Sequence, residues 1–172
     1  MERLTLSDNG ILFLIGWESL ILQMYPDQKG LPTIGIGHLL TQKELTSGII
    51  QIGVEPINWK SGITTKQAYA LKRQDLKRFD DAVNDRMRAK RLRQHQFDAL
   101  CILAFNIGAH AFSERCSVPA HLLRGNEQAA FAAWRRWNKV TIKGVPQVSR
   151  GLVKRREAEI AIYRHAAYSG RP

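Results

Sequence analysis

The stretch from Thr64 to Met87 constrains this chain most. Thr64-Thr65-Lys66-Gln67 has the capping-box pattern, in which a hydroxyl and a side-chain amide three residues later satisfy each other's backbone N–H groups. Behind it Ala68, Leu71, Leu76, Phe79, Ala82, Val83 and Met87 recur at helical spacing. The spacing predicts one helix ending near residues 88–91. At 1.5 Å rise per residue, roughly 25 residues span ~40 Å. Such a helix outreaches one small core, so it is expected to bridge two lobes. The 172 residues fit one domain with two lobes, and a hydrophobic content of 44% excludes a disordered chain.

The flanking segments differ in character. A first helix is predicted over 7–23, capped by Ser7 or Asp8, burying Ile11, Leu12, Leu14, Ile15 and Leu22, with Glu18 in its C-terminal part. Pro26-Asp27-Gln28-Lys29-Gly30 is turn chemistry. Thr33-Ile34-Gly35-Ile36-Gly37-His38 alternates β-branched residues with glycine, which suits a short strand in a hairpin or three-stranded sheet. Residues 41–62 read as a short helix and a loop. Beyond the long helix, 94–106 is apolar on most sides and predicts a central buried helix ended by Gly108. Further helices are predicted over 117–124 and 127–138, the second carrying Phe131, Trp134 and Trp137 toward the core. A loop containing Gly144 and Pro146 leads to a last helix over 149–165. The fold class is α+β, mainly helical. It comprises an N-terminal α+β lobe (1–62), a bridging helix (63–90) and a helical C-terminal lobe (91–172) packed with the first helix.

A net charge of +11 favours polyanions: nucleic acid, anionic lipid or a phosphate-rich bacterial envelope. Arg86, Arg88, Lys90, Arg91 and Arg93 crowd eight positions, and Arg150, Lys154, Arg155 and Arg156 form a second cluster. Charge alone does not choose among these partners. Cys101 sits in an apolar run and reads as a buried thiol; Cys116 lies in a polar stretch, and a bridge between the two is left open. The five histidines lack metal-ligand spacing, so no metal and no cofactor are expected. The apolar stretch Ile11 to Ile15 is too short for a signal peptide or membrane span. The chain is expected to be made in the cytoplasm, and another agent must carry it out if it acts beyond.

The chemistry concentrates between Glu18 and His38. Hydrolysis of a glycosidic bond needs an acid that keeps its proton and a second polar group that places water or stabilises a cationic sugar. Glu18 follows an apolar run beside Trp17, and partial burial disfavours a charged carboxyl. Asp27, in a polar turn, is the charged partner, and Thr33 can help place a water. Trp17 and Tyr25 are candidate cleft walls. Gly35 and Gly37 thin the backbone where a sugar chain would approach. His38 is expected to pair with Asp75 on the long helix, which would raise its pKa and weaken the pair as pH rises through that value.

Glu18, eight residues, Asp27, five residues, Thr33, then Ile-Gly-Ile-Gly-His resembles the phage-type lysozymes, endolysins of glycoside hydrolase family 24. Three further blocks in order are similar to that family: Gln94 to Leu100, Phe105 to Phe112, and Trp137-Asn138-Lys139 with Gly151 to Glu159. The resemblance implies a lysozyme-like fold. It also implies hydrolysis of the β-1,4 bond between N-acetylmuramic acid and N-acetylglucosamine in peptidoglycan. Glu18 would protonate the leaving oxygen, Asp27 would activate water or stabilise the cationic transition state, and Thr33 would assist. It also adds Ser117 and Phe112 to Tyr25 and Gly37 as substrate-binding candidates. This chain departs from the family in having Ser117-Val118 where Ser-Thr is common, and Ala109-His110 where a glycine-containing turn is common. The implied setting is phage lysis: a monomer held in the host cytoplasm until a holin pore releases it, drawn to the anionic envelope by its basic patches, with no nucleic-acid partner. A toxin or effector carrying the same domain, and a cationic membrane-disrupting protein, are the alternatives.

Overall fold

The computed structural model describes residues 3–16, 19–27, 30–142 and 144–169. Its elements run α1 (Asp8–Ile15), β1 (Ile21–Pro26), β2 (Pro32–Gly35), β3 (His38–Leu39), α2 (Gln42–Ser47), β4 (Ile49–Ile52) and β5 (Glu55–Asn58). A single 3-10 turn (Trp59–Ser61) leads into the long helix α3 (Thr65–Arg86). There follow α4 (Gln94–Ile107), α5 (Ala109–Glu114), α6 (Val118–Leu123), α7 (Glu127–Arg135), β6 (Lys139–Ile142), β7 (Val145–Val148) and α8 (Arg150–His165). The chain forms two compact units. One spans Ile15–Lys77; the other joins Met1–Leu14 to Arg78–Pro172. The unit boundary falls within α3.

In the unit of residues 15–77, β1, β2 and β3 form an antiparallel sheet in that order. One face of it is covered by the cluster Ile34, Ile36, Leu40, Ile50, Trp59, Ile63, Ala68 and Leu71. Full burial of each large apolar side chain stabilises by about 1.5–3 kcal/mol. Gly35 sits at φ +69°, and a Cβ there would lie 3.2 Å from Ile63 Cδ1 and 3.4 Å from Ala68 Cβ. A side chain is therefore excluded both by backbone conformation and by the helix behind the strand. Helix α3 begins as its sequence demands: Thr64 N donates to Gln67 Oε1 (2.8 Å) and Gln67 N to Thr64 Oγ1 (3.2 Å). It stops at Arg86, slightly short of the expected end.

Three expectations fail here. The first helix ends at Ile15 rather than residue 23, and Leu22 and Gln23 lie in β1. Gly16 interrupts the helix, and the ladder with β2 pairs the backbone groups of the following segment instead. Leu12, expected inside, is 57% exposed. Within 41–62, the expected helix is present, but the expected loop is a hairpin, β4–β5, closed by Gly53-Val54 with Gly53 at φ +60°.

The other unit is built around α4, whose residues Phe97 to Ala104 are all buried, with α8 packed along it. Ser7 caps α1, its hydroxyl accepting from Gly10 N (3.2 Å). The same hydroxyl donates to the buried Asp98 carboxylate, which also accepts from Ser7 N (3.0 Å), Gln94 Nε2 (2.8 Å) and Tyr168 Oη (2.5 Å). This ties both chain ends to the central helix. On α8, Glu159 is 0% exposed and accepts from Trp134 Nε1 (2.8 Å), Arg156 Nη2 (2.8 Å) and Arg155 Nε (3.3 Å). Trp134 is in the core as expected, but α7 ends at Arg135 and leaves Trp137 beyond it. The expected loop around Gly144 and Pro146 is instead the hairpin β6–β7. Cys101 and Cys116 are free thiols and both are buried, Cys116 in the segment between α5 and α6.

Candidate active site

The turn between β1 and β2 is held together by Asp27 and Leu31. Asp27 N donates to Leu31 O (2.9 Å), Gly30 N donates to Asp27 O (2.9 Å), and Leu31 N donates to the carboxylate Oδ1 of Asp27 (2.8 Å). The side chain thus takes a backbone N–H, as aspartate does in turns. One consequence is that the carboxylate is pinned to the hairpin rather than swinging from it. Thr33 Oγ1 donates to Leu31 O (3.0 Å), and Thr33 is only 4% exposed. Leu31 is therefore bound to both candidate residues.

Strand register sorts the side chains by face, because residues directly opposite one another in an antiparallel pair share a face. Tyr25 pairs with Thr33, and Thr33 pairs with Leu39, so these three lie side by side on one face of the sheet. Asp27 lies just beyond the end of β1, in the turn of the same hairpin. Ile34 pairs with His38, and Ile34 belongs to the core cluster, so His38 lies on the opposite face. Gly37 is exposed at φ +70° in the turn joining β2 and β3, a conformation that favours glycine.

On its own face His38 is 9% exposed and lies between two carboxylates. Its Nδ1 is 2.9 Å from Asp75 Oδ2 and its Nε2 is 3.4 Å from Glu44 Oε1. Burial opposes the imidazolium, but the hydrogen bond and charge of Asp75, with those of Glu44, outweigh it and raise the His38 pKa. Glu44 also closes the cap of α2: Thr41 N and Oγ1 each donate to Oε2 (2.7 Å), and Glu44 N donates to Thr41 Oγ1 (3.3 Å). Burial works against the Glu44 carboxylate, yet these hydrogen bonds and His38 pull its pKa down. His38, committed to acids on the core side, anchors the sheet to α2 and α3 and does not face the Thr33 row.

The remaining candidates are spread more widely. Glu18 and Trp17 lie outside the described residues. Ser117 is half-buried at the start of α6, and Phe112 on α5 is 0% exposed. Phe112 is packed inside its unit with no exposed surface. The structure thus brings Tyr25, Asp27 and Thr33 onto one hairpin, with Gly37 at the turn following β2. Glu44 was not foreseen as a partner of His38; its signal was Thr41-Gln-Lys-Glu44, itself a capping box.

A family model of phage lysozyme matches residues 15–159. The chain belongs to the phage lysozyme family. Among its relatives, the endolysin of Acyrthosiphon pisum secondary endosymbiont phage 1 is 30% identical, with 94% of this chain and 99% of the relative covered. The endolysin of Salmonella phage P22 is 36% identical, covering 78% of this chain and 84% of the relative. Among solved structures, the endolysin from Escherichia coli O157:H7 phage FAHEc1 has a TM-score of 0.79 and 33% identity, covering 98% of each chain. The phage lysozyme match includes the hairpin of Asp27 and Thr33, the helices α3 and α4 and most of α8. The mainly helical α+β lysozyme-like fold read from the sequence is the fold of the FAHEc1 phage endolysin.

Proposed function

We propose that Glu18, Asp27 and Thr33 carry out the hydrolysis, cleaving the β-1,4 bond between N-acetylmuramic acid and N-acetylglucosamine. As a phage lysozyme the chain is a glycoside hydrolase acting on peptidoglycan, an endolysin of host lysis. The observation that supports the assignment of residues is that Asp27 and Thr33 stand on one hairpin with both polar groups bound to Leu31, and that Tyr25 lies directly opposite Thr33. Asp27 enters the reaction already oriented, so little reorganisation is needed when charge develops on the sugar. The Thr33 hydroxyl spends its proton on Leu31 O, which leaves its lone pairs to accept from a water. A water donating to Thr33 turns its own lone pair toward the substrate. Glu18 supplies the proton to the leaving oxygen. Asp27 either activates that water or stabilises the cationic sugar, depending on its distance from Glu18. Tyr25 offers an aromatic face to the glycan, and Gly37, at the turn after β2, lets the glycan approach the backbone.

The test is turbidity clearing of outer-membrane-permeabilised cells. Glu18→Gln and Asp27→Asn should each lower the rate by at least ~100-fold, the scale of acid–base catalysis. Undiminished clearing by Glu18→Gln would favour membrane disruption by the cationic chain instead. No helix among the described residues is long and apolar enough to cross a membrane. Release through a holin pore fits this, and it predicts that expression without a holin leaves host cells intact.

A further inference from the structure

The unit that joins residues 1–14 to 78–172 contains a cavity of about 650 Å³, a volume in the range of small-ligand sites. Among the described residues it is lined by the cations Arg3, Arg88, Lys90 and Arg91 with one acid, Asp85. Apolar side chains, Leu4, Met87, Leu92 and Phe97, share the lining. Two of the cations are already engaged. Arg3 bonds Asp81 and Asp85 at 3.0 Å each, and Lys90 Nζ donates to Leu122 O at 3.0 Å. Arg88 and Arg91 are exposed and have no carboxylate partner among the described residues. Arg86, the last residue of α3, and Arg88 just beyond it suit the negative end of that helix. Arg91 and Arg93 precede the positive end of α4, a helix with no acid in its first turn, where an anion is favoured over a further cation.

We propose that this cavity binds the phosphate headgroup of an anionic phospholipid, with Arg88 and Arg91 on the phosphate and the start of the acyl chains against Leu4 and Leu92. A lining that combines cationic with apolar side chains matches an anionic amphiphile better than a bare anion. Arginine suits the phosphate because its planar fork can give two parallel N–H donors. The site is separate from the hairpin of Asp27 and Thr33 and does not depend on the catalytic assignment. It would hold the enzyme at a membrane surface.

The test uses the full chain titrated with dihexanoylphosphatidylglycerol below its micelle concentration, followed by amide NMR shifts. Saturable one-to-one binding with shifts in residues 84–97 is expected. Arg88→Ala/Arg91→Ala should weaken it at least tenfold. Arg150→Ala/Lys154→Ala, which removes the same charge from the exposed start of α8, should change it less than twofold. Inorganic phosphate should bind the same residues more weakly. Equal losses in the two double variants, or no saturation, would reduce the cavity to diffuse charge and overturn the proposal. Phosphate binding as tight as the lipid, or tighter capture of a twelve-nucleotide single strand with the same shifts, would overturn it in favour of those ligands.

Discussion

Replacing Asp75 by Asn removes the charge facing His38 Nδ1 while preserving volume and a hydrogen-bonding group. His38 is nearly buried, and the Asp75 side chain is 26% exposed. A hydrogen bond between charged partners contributes about 1.5–3 kcal/mol, and partial exposure places this one near the lower end, about 1.5–2 kcal/mol. For a chain of this size each kcal/mol moves Tm by about 2–4 °C, so the loss should be ~3–8 °C. The sign follows from the raised pKa of His38. A folded pKa above the unfolded one gives stability that is complete below the unfolded value of about 6.5 and disappears as pH rises through the folded value. Protonated, the ring donates from Nδ1 to Asp75 and holds its charge 3.4 Å from Glu44 Oε1. Neutral, it turns a lone pair toward one carboxylate. Thermal unfolding followed by circular dichroism at pH 5.5 and pH 9 therefore gives a large Tm difference between wild type and Asp75→Asn at pH 5.5 and a small one at pH 9. An equal difference at both values, or a larger one at pH 9, would refute the reasoning.

Other consequences can be checked in the same way. Glu159→Ala leaves Arg155 and Arg156 buried without their shared carboxylate and should cost about 3–5 kcal/mol in urea unfolding. Gly35→Ala forces a side chain into a left-handed conformation against Ile63 and Ala68, and should destabilise by about 1–3 kcal/mol in the same assay. Burial pushes the pKa of both Cys101 and Cys116 up, so neither thiol should react with a disulfide reagent at pH 8 until urea unfolds the chain.

Local signals made much of this fold legible. The capping box at Thr64, the glycine after α4, Pro119 at the start of α6 and Ser149 before α8 each place a helix boundary within a few residues, because the groups they satisfy lie close in sequence. The first helix was overextended because the apolar run continues through Leu22. Only the ladder with β2, the next strand of the hairpin, makes residues 21–26 a strand. The strands of β6–β7 are exposed throughout, and those of β4–β5 are only four residues each with Ile50 the one fully buried position, so neither shows a run of alternation long enough to read. Gly53-Val54 carried a turn signal of the Gly-X type that could have found one of them. At the site, residue types and spacing pointed to Asp27 and Thr33. Leu31, which holds both through its backbone, has no sequence mark, since any residue could supply its amide and carbonyl.

Mass analysis of purified peptidoglycan after digestion tests the central claim most directly. Wild type should release fragments ending in reducing N-acetylmuramic acid, and Glu18→Gln should release essentially none under the same conditions. Fragments ending in anhydromuramic acid, or reducing ends formed equally well by Glu18→Gln, would contradict water-dependent cleavage by the residues assigned here.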